Sequence, residues 1–199
     1  MKLHSYVVAR DYGFAPNPFF GVCTLATCKP SIRKHAQIGD WVVGTGSAER
    51  KRRGYIVYAM RVAEALTYTQ YWDDPRFLLK RPNLFGSKKQ AFGDNIYRKT
   101  KDGFTQIDSH HSHADGTPNP RNIRNDTQTD RMLAGTDFVY WGGQGPKIPD
   151  HFRKNPNVCA GRGHKNDFPQ EFVDEFIGWI KSLGASGCPG RPLDWDKTP

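Results

Sequence analysis

Trp41-Val42-Val43-Gly44, a polar stretch from Thr45 to Gly54, and Tyr55-Ile56-Val57-Tyr58-Ala59-Met60-Arg61-Val62-Ala63-Glu64-Ala65-Leu66 read as strand, loop and strand. β-branched and aromatic residues fit a pleated, half-buried surface, and the second run is the longest β-like segment of the chain. The Gly39-Asp40 turn opens the unit. The loop carries Arg50-Lys51-Arg52-Arg53, four cations in a row that belong in solvent. An antiparallel hairpin is therefore expected at the centre of the fold.

On the N-terminal side, residues 3–10 alternate and predict another strand. The prolines and glycines of 13–21 exclude a regular element and predict a stiff, aromatic-lined loop. Residues 22–28 read as a strand, and Lys29 to Gln37 as a short helix with Pro30 in its first turn. On the C-terminal side, Thr69 to Lys80 predicts a short helix interrupted by Pro75, and Arg81 to Phe104 reads mostly as loop. Phe138-Val139-Tyr140-Trp141 is a late strand. From Pro169 to Leu183, Phe172, Val173, Phe176, Ile177, Ile180 and Leu183 recur at helical spacing and make one apolar face. Asp167 or Asn166 is expected to cap that helix, and Gly184 to end it. The whole reads as α+β: one domain over residues 1–184, a small mixed or antiparallel β-barrel or sheet flanked by helices. A Gly/Pro-rich tail at 185–199 is expected to lie loosely on the surface.

The 199 residues carry a net charge of +9, which favours polyanionic partners, nucleic acid or anionic membrane. No apolar stretch approaches the roughly 20 residues of a membrane span, and the first residues do not form a signal peptide. The expectation is a cytoplasmic protein that binds nucleic acid rather than membrane. Its four cysteines are then expected to be reduced. Cys23, Cys28, Cys159 and His164 could form a zinc set, but their spacing is looser than usual, and buried free thiols are the favoured reading. No cofactor is expected, since neither a Walker-type loop nor a methyl-donor glycine motif is present.

The segment Ile107-Asp108-Ser109-His110-His111-Ser112-His113 concentrates proton-transferring groups. Gly116-Thr117-Pro118-Asn119-Pro120-Arg121-Asn122 follows it and reads as loop. A solvated polar turn is the plain alternative to a site.

Two ordered stretches resemble a known family. They are Asp11-Tyr12-Gly13-Phe14-Ala15-Pro16-Asn17-Pro18-Phe19 running through Cys23-Thr24-Leu25-Ala26-Thr27-Cys28-Lys29-Pro30 to Gly39-Asp40-Trp41, and Gly93-Asp94-Asn95-Ile96-Tyr97 followed by Asp108-Ser109-His110-His111-Ser112. Together they resemble the nucleotide modification associated domain, type two, of bacteria and phages. That resemblance implies a substrate class, modified DNA, more firmly than a reaction. The central hairpin also looks like that of PUA-like domains, many of which hold a flipped or modified base in an aromatic pocket.

On this reading Arg50, Lys51, Arg52, Arg53, Lys88, Lys89 and Arg98 are candidates for phosphate contact. Phe14, Phe19, Trp41 and Tyr55 are candidate walls for an extruded base, and Asn17 is the candidate for its Watson–Crick edge. Cutting the N-glycosidic bond calls for a carboxylate and a proton donor. Asp108 with His110 or His111 is the first candidate, Asp11 the second, and Asp94 with Asn95 the third. The leading expectation is a DNA glycosylase-like hydrolase that excises a hypermodified base. A non-catalytic reader of modified bases is the alternative, and a nuclease with a metal on Asp108, His111 and His113 comes after it. A single pocket requires the loops at 13–21 and 108–113 to meet.

Overall fold

The computed structural model describes residues 1–159, 161 and 163–197. In chain order the strands and α-helices are β1 (Leu3–Val8), β2 (Cys23–Leu25), α1 (Pro30–His35), β3 (Trp41–Gly46), β4 (Ile56–Arg61), β5 (Glu64–Leu66) and α2 (Tyr68–Asp73). There follow α3 (Lys88–Ala91), β6 (Tyr97–Thr100), β7 (Gly103–Gln106), α4 (Pro120–Asp126), β8 (Met132–Gly135), β9 (Phe138–Tyr140), β10 (His164–Lys165) and α5 (Gln170–Ser182). The chain forms two compact units interleaved in sequence. The first takes residues 1–12, 36–63 and 135–199; the second takes 13–35 and 64–134.

The first unit is built on a five-stranded sheet in the order β10-β1-β3-β4-β9. β1 and β3 run parallel, and the other neighbours are antiparallel. The α+β expectation holds, with a mixed sheet that has two edges in place of a closed barrel. The hairpin read from the sequence is its centre, with Trp41 paired to Arg61 and Thr45 to Ile56. β3 is buried along its whole length, and a methyl group at Gly44 would stand 2.5 Å from the Tyr58 ring, so only glycine fits that crossing.

The β-like run from Tyr55 does not stay in one sheet. β4 stops at Arg61, where Val62 donates to Asp40 O and accepts from Gly39, and the chain enters the second unit as β5. α5 lays Phe172, Val173, Phe176, Ile177 and Ile180 into the core with Leu3, Trp41, Val43 and Phe152. Its N-cap position is held by Pro169, with no side-chain cap, so neither Asp167 nor Asn166 serves.

The segment from Ala185 is tied down. Gly187 and Arg191 bridge to Val139 and Gly142, and Trp195 is buried with its indole donating to Tyr12 O at 2.8 Å. Its composition concealed this, because backbone bonds and two side chains hold it instead of an apolar periodicity.

The second unit contains the sheet β2-β8-β5, the hairpin β6-β7 and the helices α1 to α4. Residues 97–106, expected as mostly loop, form that hairpin, since exposed Arg98-Lys99-Thr100 offers no apolar alternation to reveal it. α4 begins inside the segment read as loop, capped by the Asn119 side chain with Pro120 in the first turn. Among the described residues no helix is long and apolar enough to cross a membrane.

Candidate functional site

Helix α4 places Asn122 and Asp126 four residues apart and therefore on one face. Both reach the histidine loop. Asn122 Nδ2 donates to His111 O at 2.7 Å, and Asp126 Oδ2 accepts from His111 Nδ1 at 2.7 Å. The other ring nitrogen, His111 Nε2, stands 3.7 Å from Cys28 Sγ. Thiol, imidazole and carboxylate thus form one connected cluster.

Each end is fixed from behind. Asp126 is fully buried and also accepts from the Tyr97 hydroxyl at 2.8 Å and from Cys28 N at 2.8 Å. Arg33, buried in α1, donates from Nε to Cys28 O at 2.8 Å and from Nη2 to Asp126 O. Its Nη1 reaches Arg131 O at 2.6 Å and the Tyr68 hydroxyl at 3.0 Å. One planar fork therefore sets the thiol-bearing and carboxylate-bearing backbones relative to each other. Cys28 and Lys29 both take positive φ, 54° and 42°, a strained pairing for residues other than glycine.

Burial works against a charge on His111. The hydrogen bond to Asp126 and then the contact with Cys28 outweigh it, raising the imidazole to about 9. Burial also lowers the Lys29 amine below its ordinary value, partly offset by the neighbouring Cys28 sulfur. His111 is mostly covered while His110 is exposed. The Phe14 ring centre lies 4.6 Å from that of His111 and 5.2 Å from that of His110, and Phe92 lies 5.1 Å from His110. The loops at 13–21 and 108–113 therefore do meet, through Phe14.

The remaining candidates separate clearly. Asp108 is exposed beside Gly116, where a methyl group would stand 2.8 Å from Oδ2. Asp11 is buried in the first unit, one oxygen taken by the Tyr140 hydroxyl and the other by Leu193 N, so it fastens the C-terminal segment. Asp94 is buried between the Thr24 and Tyr71 hydroxyls at 2.7 Å each, and its carboxyl is pushed up by that burial.

Asn17 donates to Phe92 O and accepts from Lys80 Nζ at 2.7 Å, so its amide edge is committed inside the protein. Phe19 is buried and Trp41 belongs to the first unit's core. Tyr55 is half-buried under the Arg52 guanidinium, 3.9 Å from its ring centre. Arg50 pairs with buried Asp194 at 2.9 Å, whereas Lys51, Arg53, Lys88, Lys89 and Arg98 are exposed.

Of the zinc set, Cys23 is buried in β2, and Cys159 and His164 lie in the first unit. Among the described residues, the donors at metal-holding distance are instead Cys28, His111 and Asp126, with ligand atoms within 4.8 Å of one another. Asp126 already accepts from His111, Tyr97 and Cys28, which suits a carboxylate that orients the imidazole better than one that binds a metal directly.

His111 stands in the histidine segment that the sequence singles out, whereas its partners Cys28 and Asp126 lie far from it in sequence. Cys28 was treated as a buried thiol or zinc ligand although it stands at the start of a Pro-led helix. Asp126 lay in a helix whose Asn119-Pro120 opening was readable.

The class defined here is a mixed α/β protein with a buried carboxylate, an oriented imidazole and a half-exposed thiol on loops and short helices. The chain belongs to the nucleotide modification associated domain 2 family, whose profile it matches over residues 1–199. That membership links it to modified nucleic acid. No curated protein and no solved structure matches it.

Proposed function

We propose that this protein is an enzyme acting on a modified base of DNA, with Cys28 as nucleophile, His111 as proton carrier and Asp126 as positioning residue. The observation that carries this reading is the line of contacts from Cys28 Sγ to His111 Nε2 at 3.7 Å and from His111 Nδ1 to Asp126 at 2.7 Å. A thiol becomes a strong nucleophile when a neighbouring imidazole takes its proton, and a third group that holds the ring fixes the direction of transfer. With its pKa at about 9, His111 carries its proton at neutral pH and can hand it to a leaving group. The exposed His110 ring, backed by Phe14 and Phe92, offers a surface on which a base can stack beside the sulfur.

The bond we assign is the N-glycosidic bond. The thiolate attacks C1′, the C1′–S bond forms as C1′–N breaks, and the departing base nitrogen takes the His111 proton. Water then opens C1′–S, a proton returns to His111, the thiolate is restored and an abasic sugar remains. Because thiol, imidazole and carboxylate in line also serve acyl transfer, a second reading is hydrolysis of an acyl-type substituent carried by the base.

The test is mass spectrometry of small molecules released from phage DNA with heavily modified cytosines, against unmodified DNA. Wild type, Cys28→Ser and Asp108→Asn are compared with and without a chelator. Whole bases released by wild type and not by Cys28→Ser are the expected result. A released substituent, with the base retained, gives the second reading. Equal release by Cys28→Ser removes the nucleophile assignment, and loss of release on chelation assigns the three donors to a metal. Selective binding with no release makes the protein a reader of modified bases. Release lost in Asp108→Asn would add that exposed carboxylate to the catalytic set.

A further inference from the structure

Phe85 is the most exposed large apolar residue described, with a relative exposure of 102%. It does not sit on a loose loop. Gly86 N donates to Asn83 O at 3.0 Å, and Phe85 N donates to the Asn83 side chain at 3.1 Å, which closes a tight turn. Asn83 N is in turn held by Gln90 O at 3.0 Å, and the Gln90 side chain accepts from Ser87 N at 3.0 Å. The turn is thus clamped onto α3, and Leu84 and Phe85 project from a rigid base. α3 runs into Phe92, the ring that packs 5.1 Å from His110, so the turn and the candidate site share one short element.

Lys88 and Lys89 follow the turn at the start of α3, both exposed. Their charge decides what kind of surface this is. Lysine is depleted in the cores of protein–protein interfaces, and two copies of this chain meeting at Phe85 would bring like charges together. An exposed apolar ring followed by two exposed cations instead fits nucleic acid, where the ring enters the base stack and the cations meet phosphate.

We propose that the Asn83–Gly86 turn is a wedge that inserts Phe85 into the stack of duplex DNA beside the base being extracted, with Lys88 and Lys89 on the flanking phosphates. The proposal rests on the reading that a base leaves the helix. It adds the means, since a filled gap offsets part of the unstacking cost. Arg81, which lies 4.1 Å over the Trp72 ring and donates to Trp72 O, stiffens the chain leading to the turn.

The test uses the full chain and a short DNA duplex carrying 2-aminopurine next to a mismatched pair. Wild type should raise the 2-aminopurine fluorescence. Phe85→Ala should abolish that rise and weaken binding about tenfold, as loss of one stacking contact does. Phe85→Trp should retain both. The double change Lys88→Gln with Lys89→Gln should keep the fluorescence rise at saturation and lower the slope of log K against log salt by about two. If Phe85→Ala binds and unstacks like wild type, the wedge is wrong while the base-removal reading stands. If wild type is a dimer that Phe85→Ala turns into a monomer with unchanged DNA binding, the turn joins two copies and the wedge is again wrong. If wild type binds no such duplex at all, the wedge is wrong, and the base-removal reading is decided separately by release from modified phage DNA.

Discussion

Asp11 and Asp126 are alike in isolation and opposite in use. Both are buried, and both accept a hydrogen bond from a tyrosine hydroxyl, Tyr140 for Asp11 and Tyr97 for Asp126. Around Asp11 the bonds to Tyr140, Leu193 and Asp194 tie the first strand's end to β9 and the C-terminal segment. Around Asp126 one bond leads outward, through His111 to the half-exposed Cys28 sulfur. A buried carboxylate is thus a fastener when its partners are backbone and phenol. In the proposed function Asp126 becomes part of a relay, because one partner is an imidazole whose far side faces a thiol.

The comparison is broken most directly at Cys28. Cys28→Ser should reduce release from modified DNA by about a thousandfold or more with the fold intact, measured by mass spectrometry and circular dichroism. A smaller loss is expected for Asp126→Asn, about a hundred- to ten-thousandfold, because the ring loses its orienting charge. The matching Asp11→Asn should leave release unchanged and lower stability by about 1–3 kcal/mol in urea unfolding. If instead Asp11→Asn abolishes release at full stability, the division between fastener and relay is mistaken.

Arg33→Met removes the fork that joins the Cys28 and Asp126 carbonyls and should destabilise the protein by about 3–5 kcal/mol, seen as a lower urea midpoint. The smallest effect expected is in the pH dependence. His111 is raised from 6.5 to about 9 in the folded chain. Its contribution to stability is therefore complete below about pH 6.5 and is lost as pH rises through about 9. The difference in melting temperature between wild type and His111→Asn should shrink across that window, and a difference constant from pH 6 to 10 would contradict the assignment.

What the sequence made legible were the elements with a period or a continuous β-like run. The first strand and the apolar face of α5 announce themselves by spacing, and the hairpin of β3 and β4 by continuous β-branched and aromatic runs that are buried almost throughout. The β6–β7 hairpin and α4 were hidden because their outward residues are polar and their inward ones are Tyr97, Gln106 and Asp126, which bond rather than pack. The site was half legible for the same reason. A histidine cluster is visible as composition, whereas a pairing of residues 28, 111 and 126 exists only in the fold. Phe14, expected as a wall for an extruded base, packs against His110 and His111 and backs them.

The interleaving of the two units also sets a schedule. Cys28 leaves the ribosome early, but its relay partners follow 83 and 98 residues later, and Arg33 cannot close its fork until Arg131 has been made. Strand β3 can pair with β1 long before then, so the first unit's sheet begins to form while the second unit is still incomplete. During synthesis the thiol is therefore made well before its imidazole. The contacts of Cys28 with His111 and Asp126 form late, because they are long-range.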